Sequence, residues 1–150
     1  MATTAYNNII QAFGDFKNAH YQLNSFFAGQ TWNFQAEMDT VYPAMVVLPQ
    51  PSTIQSGVIT YSFSVFICDI LNKDRSNVTE VYSDTSQIIC DLVSEMKDKE
   101  DTYGFWLDET NVLIEPFEEA FDDVLAGWIA TININVKFSG STCGLPLRSQ

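Results

Sequence analysis

The stretch Trp128-Ile129-Ala130-Thr131-Ile132-Asn133-Ile134-Asn135-Val136-Lys137-Phe138 carries the plainest structural signal in the chain. Trp128, Ala130, Ile132, Ile134, Val136 and Phe138 share one parity; Thr131, Asn133, Asn135 and Lys137 share the other. Successive strand side chains point to opposite faces, so the spacing predicts a strand with one dry and one wet face. The run from Val58 to Ile70 repeats the pattern, with Ile59, Tyr61, Phe63, Val65 and Ile67 facing away from Thr60, Ser62 and Ser64. Two strands with matching dry faces are expected to lie side by side under helices, as the middle of the fold.

On either side of that pair the period changes. Thr3 or Thr4 can cap a first helix whose stripe is Tyr6, Ile9, Ile10, Phe13 and Phe16, ending near Lys17 or Asn18. His20 to Phe27 alternates and reads as a short strand closing at Gly29. Gln30 to Thr40 follows no period and is expected to be a loop or arm carrying Trp32, Phe34 and Met38. Tyr42 to Leu48 reads as a strand, with Pro43 suggesting an edge, and Pro49 to Ser52 as a turn. Asn77 with Glu80 three residues on is a capping-box pattern before a helix striped by Val81, Ile88, Ile89, Leu92, Val93 and Met96. That helix is expected to fray over Asp98 to Tyr103. A strand Val112 to Phe117, an acidic bend Glu118 to Asp123 and a last strand opened by Gly127 follow. The fold class is therefore α+β, a mostly antiparallel sheet of four to five strands flanked by two main helices. Residues 1–138 form one domain in this reading, and 139–150 an extended arm.

A chain of 150 residues is long enough to bury roughly two-thirds of its surface in one core. Nineteen acidic residues against seven basic ones give a charge of −12. That balance argues against a nucleic-acid reader, which needs a basic face to displace counterions, and against docking on anionic lipid. Cys68, Cys90 and Cys143 are widely spaced, and buried free thiols in a reducing compartment are expected. Met1 to Thr4 has neither a basic segment nor an apolar run, so no secretory signal is expected, and no apolar run is long enough to span a bilayer. The Asn77-Val78-Thr79 sequon is read as chance.

Few residues suggest a reaction. Seven carboxylates fall between Asp108 and Asp123: Asp108, Glu109, Glu115, Glu118, Glu119, Asp122 and Asp123. Neither the calcium-loop spacing nor a glycine-centred turn accompanies them, so a solvated acidic bend or a face for a basic partner is expected. His20, the single histidine, has no sequence neighbour that would complete a triad and is expected to be a hydrogen-bonded strand residue. No phosphate loop, CxxC, HExxH or nucleophile elbow occurs, and no cofactor or metal is expected. Eleven Phe, six Tyr and three Trp are plentiful, and those in the irregular segment can cover the core or anchor a neighbouring subunit.

The element order, with Asp69-Ile70-Leu71-Asn72-Lys73-Asp74, Ser76-Asn77, Glu80 to Thr85 leading to Asp91, and the bend Glu118 to Trp128, resembles the tail terminator and tail-completion proteins of tailed bacteriophages. The local wording is similar to ring proteins of the crAss-like phages. The likeness runs from about Thr4 to Phe138, and its motifs are structural. It implies a virion subunit, assembled in the bacterial host cytoplasm. Such a subunit closes a homo-oligomeric ring at the head–tail connector or tail and meets portal or other ring proteins. Double-stranded DNA would pass through without specific binding. On that footing Trp32, Phe34, Met38, Tyr42 and Met45 are candidates for the subunit interface. Asp84, Asp91, Glu95, Glu118, Glu119, Asp122 and Asp123 are candidates for a channel lining or a face for a partner. A carboxylate-dependent hydrolase built on the 108–123 region and a monomeric binding module are the competing readings.

Overall fold

The computed structural model describes residues 5–29, 41–108, 112–120 and 124–138. In chain order these form α1 (Ala5–Ala19), β1 (Ser25–Ala28), β2 (Ala44–Gln55), β3 (Val58–Ile70), α2 (Val78–Asp98), α3 (Glu100–Tyr103), β4 (Trp106–Leu107), β5 (Leu113–Ala120) and β6 (Val124–Lys137). The fold is α+β. One six-stranded sheet runs β1-β2-β3-β6-β4, with β5 also paired to β6, and every pairing except the parallel β1·β2 is antiparallel.

The expected central pair is present. β3 and β6 pair without a break from Val58↔Lys137 to Ile70↔Leu125. Their dry parities coincide, so Phe63, Val65, Ile67, Ala130, Ile132 and Ile134 are fully buried on one face. α1 covers that face with Ile9, Phe13 and Phe16, and α2 with Ile88, Ile89, Leu92 and Met96. Each large side chain buried this way contributes roughly 1.5–3 kcal/mol against leaving it in water. The α2 stripe also includes Thr85, fully buried, whose hydroxyl donates to Val81 O at 2.6 Å and so carries no unmet polar group inward.

Several boundaries differ from the sequence expectation. Pro49 and Pro51 do not end β2. The strand passes through them with a register shift between Gln50 and Thr53, and the hairpin turns instead at Ser56 and Gly57. Both turn residues have positive φ, 52° and 79°, the two-residue geometry whose twist matches the flanking strands. The shift also changes parity, so that Ile54 comes to face Ile59 on the core side, where it is 70% exposed beyond the helices.

Strand β1 is only four residues, because His20 to Asn24 turns the chain after α1 and leaves Tyr21 in solvent. Residues Tyr42 to Leu48 are not an unpaired edge. From Ala44 to Val47 they pair with β1 on one side and with β3 on the other. Nor does the Asn77 side chain cap α2. It accepts from Asn72 N at 2.8 Å and donates to Ile70 O, bracing the preceding loop. Cys68 is buried as expected, with its thiol pKa pushed well up by burial and then by the Asp69 charge, whereas Cys90 is exposed on α2.

Gly127 lies inside β6 and does not open it. A Cβ there would meet Ile67 O at 1.9 Å, and backbone cannot yield as a side-chain tip can. Gly127→Ala is therefore expected to cost about 3 kcal/mol or more in urea unfolding. Gly29→Ala, with no atom within 4 Å of the added methyl, should stay within roughly 0.5 kcal/mol.

Candidate functional site

The wet face of the central strands is only half as expected. Toward the hairpin it carries Thr60, Ser62, Ser64, Thr131, Asn133 and Asn135 in facing pairs, with Thr60 Oγ1 donating to Asn135 Oδ1 at 2.6 Å. Toward the other end it is apolar. Ala44, Val46, Cys68 and Leu125 are buried there beneath Phe27, Tyr42, Leu48, Phe66 and Phe117. The Phe66 and Phe117 rings meet edge to face at 5.5 Å. Alternation sets this up, because Phe66 and Cys68 continue the parity of Ser62 and Ser64 while the residue type changes.

The acidic candidates divide between two places. Asp84 and Glu118 lie at the end built from the β3–α2 loop, the start of α2 and the β5–β6 hairpin. The loop is closed by its own side chains. Asn72 Nδ2 donates to Ser76 Oγ at 3.1 Å, and Ser76 N donates to Asp74 Oδ1 at 3.0 Å. That bond and the Ser76 hydroxyl hold the Asp74 carboxyl below its usual range. Arg75 stands at a φ of 62° and sends its guanidinium to Glu118 of β5. Tyr82 Oη lies 3.3 Å from Phe117 O, and Trp128 Nε1 donates to Tyr82 O at 2.9 Å. The two rings pack edge to face at 5.6 Å, which ties α2 to the last two strands. Asp69, the half-buried end of β3, is pushed up by burial and by the nearby Asp84 charge, against the pull of the Ile70 N–H. Sequence reading passed over Asp69, Arg75 and Tyr82 because their partners lie on other elements.

Asp91 and Glu95 sit farther along α2, facing α1. His20 Nδ1 accepts the Gln22 N–H at 3.2 Å, which leaves the proton on Nε2 to be donated to Asp91 Oδ2 at 2.9 Å. Gln87 donates to the other Asp91 oxygen at 3.1 Å. The His20 bond first, and then the Gln87 bond, hold the Asp91 carboxyl below its usual range. His20 thus follows the end of α1 and is not a strand residue; its Nε2 joins α1 to Asp91 of α2, while its Nδ1 is taken by the turn at Gln22. Glu95 pairs with Lys99 at 3.7 Å on the rim of a cleft of about 250 Å³ floored by Ala12, Phe16, Ala19 and Met96.

Of the interface candidates, Met45 is fully buried under the helices in the chain's own core and offers nothing to a neighbour. Tyr42 is half-buried in the apolar cluster of the opposite face. Trp32, Phe34 and Met38, like Asp122 and Asp123, lie outside the described residues. Glu119 belongs to β5, across from Leu125. The register also sets Glu115 and Glu118 on opposite faces of β5, so these two carboxylates do not flank one bond, as a two-carboxylate hydrolase requires.

Among the described residues no cluster of three or more His, Cys, Asp or Glu side chains could hold a metal, and no helix is long and apolar enough to cross a membrane. No family model matches the chain, and no curated protein does.

Asp69→Asn should raise the urea midpoint at neutral pH, since the amide keeps an oxygen for the Ile70 N–H and removes a half-buried charge beside Asp84. The folded pKa of Asp69 is raised, so its penalty is complete above that value and fades as pH falls through it. The advantage of the variant should shrink likewise on acidification, as denaturation at a series of pH values would measure.

Proposed function

We propose that this chain is a structural subunit that closes a ring with copies of itself in the connector or tail of a tailed phage, and that it performs no catalysis. The observation that carries this reading is the segregation of charge. Ser25–Ala28, Ala44–Cys68 and Val124–Val136 hold no Asp, Glu, Lys or Arg, although the chain as a whole carries −12. Asp69, Asp84 and Glu118, from three elements, come together instead where β3 and β5 meet the start of α2, with Arg75 paired to Glu118.

A conduit for double-stranded DNA must not grip phosphates, because each fixed cation in it adds salt-dependent affinity. An acidic border made of Asp84 and Glu118 suits that task. Glu118 and Glu95 contribute less net field, being paired with Arg75 and Lys99. The ring itself needs a head-to-tail contact that closes on itself.

Mass photometry of the full chain, alone and with portal or tail ring proteins, tests the reading. A discrete closed species of several copies is expected, with no retardation of double-stranded DNA at physiological salt. A folded monomer at every concentration, with or without those rings, would overturn it. So would hydrolytic turnover abolished by a single carboxylate-to-amide change.

A further inference from the structure

We infer that copies of this chain join through the face of the β2–β3–β6 sheet opposite α1 and α2, with that face as one side of the joint; the inference rests on the self-assembling reading above. The first ground is electrostatic. At −12 each copy repels its neighbours, and net charge of this size keeps molecules apart unless they meet where the charge is absent. Along β2, β3 and β6 that face bears a single ionised type outside Asp and Glu, Lys137 at the strand end, and no carboxylate. The flanking β5 supplies the carboxylate positions on the same side, Glu115 opposite Ile129 and Glu119 opposite Leu125.

The second ground is composition. Interface centres are depleted of charge and enriched in aromatic residues, with neutral hydrogen-bonding groups around them. Phe27, Leu48, Phe66 and Phe117 make the apolar part here, and Ser62, Ser64, Thr131 and Asn133 the neutral polar part, as one continuous surface. Neither α1 nor α2 contributes a residue to that apolar cluster, because both helices pack on the opposite face.

The third ground bears on the rival joint, strand addition at the β5 edge and at the part of β2 past the end of β1. The Gly29 N–H reaches Val47 O, so odd-numbered residues of this part of β2 direct their backbone groups toward β1, and Pro49 places a missing donor on that side just past β1. On the other edge, Val124 O accepts from Leu71 N beyond β3, while Asn133 O accepts from Asp108 N on the β4 side. Even-numbered β6 residues therefore turn toward β3, Trp128↔Pro116 is a pair without ladder bonds, and Pro116 again faces outward without a donor. Pro116 so placed blunts the β5 edge against another chain, and Pro49 the stretch of β2 that β1 does not cover.

The test is assembly mass across a concentration series for the full chain and for Ser62→Glu and Asn133→Glu, with circular-dichroism melts to confirm folding. A carboxylate on a face that meets a like-charged copy should weaken assembly roughly tenfold or more. Ser62→Thr and Glu80→Gln, at the acidic end, should assemble as the parent does. Assembly of the unaltered chain should hold or tighten from low to high salt, because the joint lacks ion pairs and salt screens the remaining repulsion. Folded Glu variants that assemble at full strength, or assembly that weakens as salt rises, would overturn the joint while leaving the ring reading standing. A parent chain that never assembles would overturn both.

Discussion

The pairing of β3 with β6 is the constraint on which the other elements depend. It runs unbroken over the length of β3, and both strands bury the same parity, so a slip of one residue would turn Phe63, Val65 and Ile67 outward against Ile132 and Ile134 still facing in. Gly127 permits the closest approach in that ladder, at a position where any side chain would collide with Ile67 O. With that register set, the helix-covered face takes α1 and α2, and the place of β5 along β6 follows from the hairpin that closes at Val124.

The same register decides where chemistry could and could not occur. It puts Glu115 and Glu118 on opposite sides of one strand and brings Glu118 to Arg75 and Tyr82 on the helix side. His20 and Asp91 form a strut between two helices with each imidazole nitrogen engaged. Packing thus brings Asp69, Asp84 and Glu118 to one end and sets Asp91 in one helix-to-helix contact. Ala44–Cys68 and Val124–Val136 of the sheet carry no Asp, Glu, Lys or Arg.

The proposed assembly role rests on that sorting. Burial of Ala44, Val46, Cys68 and Leu125 under aromatic side chains gives the face opposite α1 and α2 an apolar half, and the Ser, Thr and Asn pairs give it a neutral half. Both halves suit contact with another protein surface better than they suit binding of a charged ligand, since neither supplies a group to neutralise one.

Much of the fold was legible in the sequence because it depends on periodicity. The two-residue alternation of Val58–Ile70 and Trp128–Phe138 and the helical stripes of Ile9–Phe16 and Val81–Met96 are local signals, and each located its element. What local signals could not supply was partnership across the chain. Pro49 and Pro51 read as a turn, yet the ladder with β3 carries the strand past them, as β3 supplies bonds on one side and the outward Pro49 loses none on the other. Asn77 read as a helix cap but is held by Asn72 and Ile70, and Cys90 read as core although the α2 face it occupies is turned to solvent. The candidate acidic set was visible as composition, whereas its division into a clustered part and a helix-bonded part came only from tertiary structure. Charge and period are properties of the chain itself; which charges meet, and which strand face the helices cover, depend on distances that folding alone establishes.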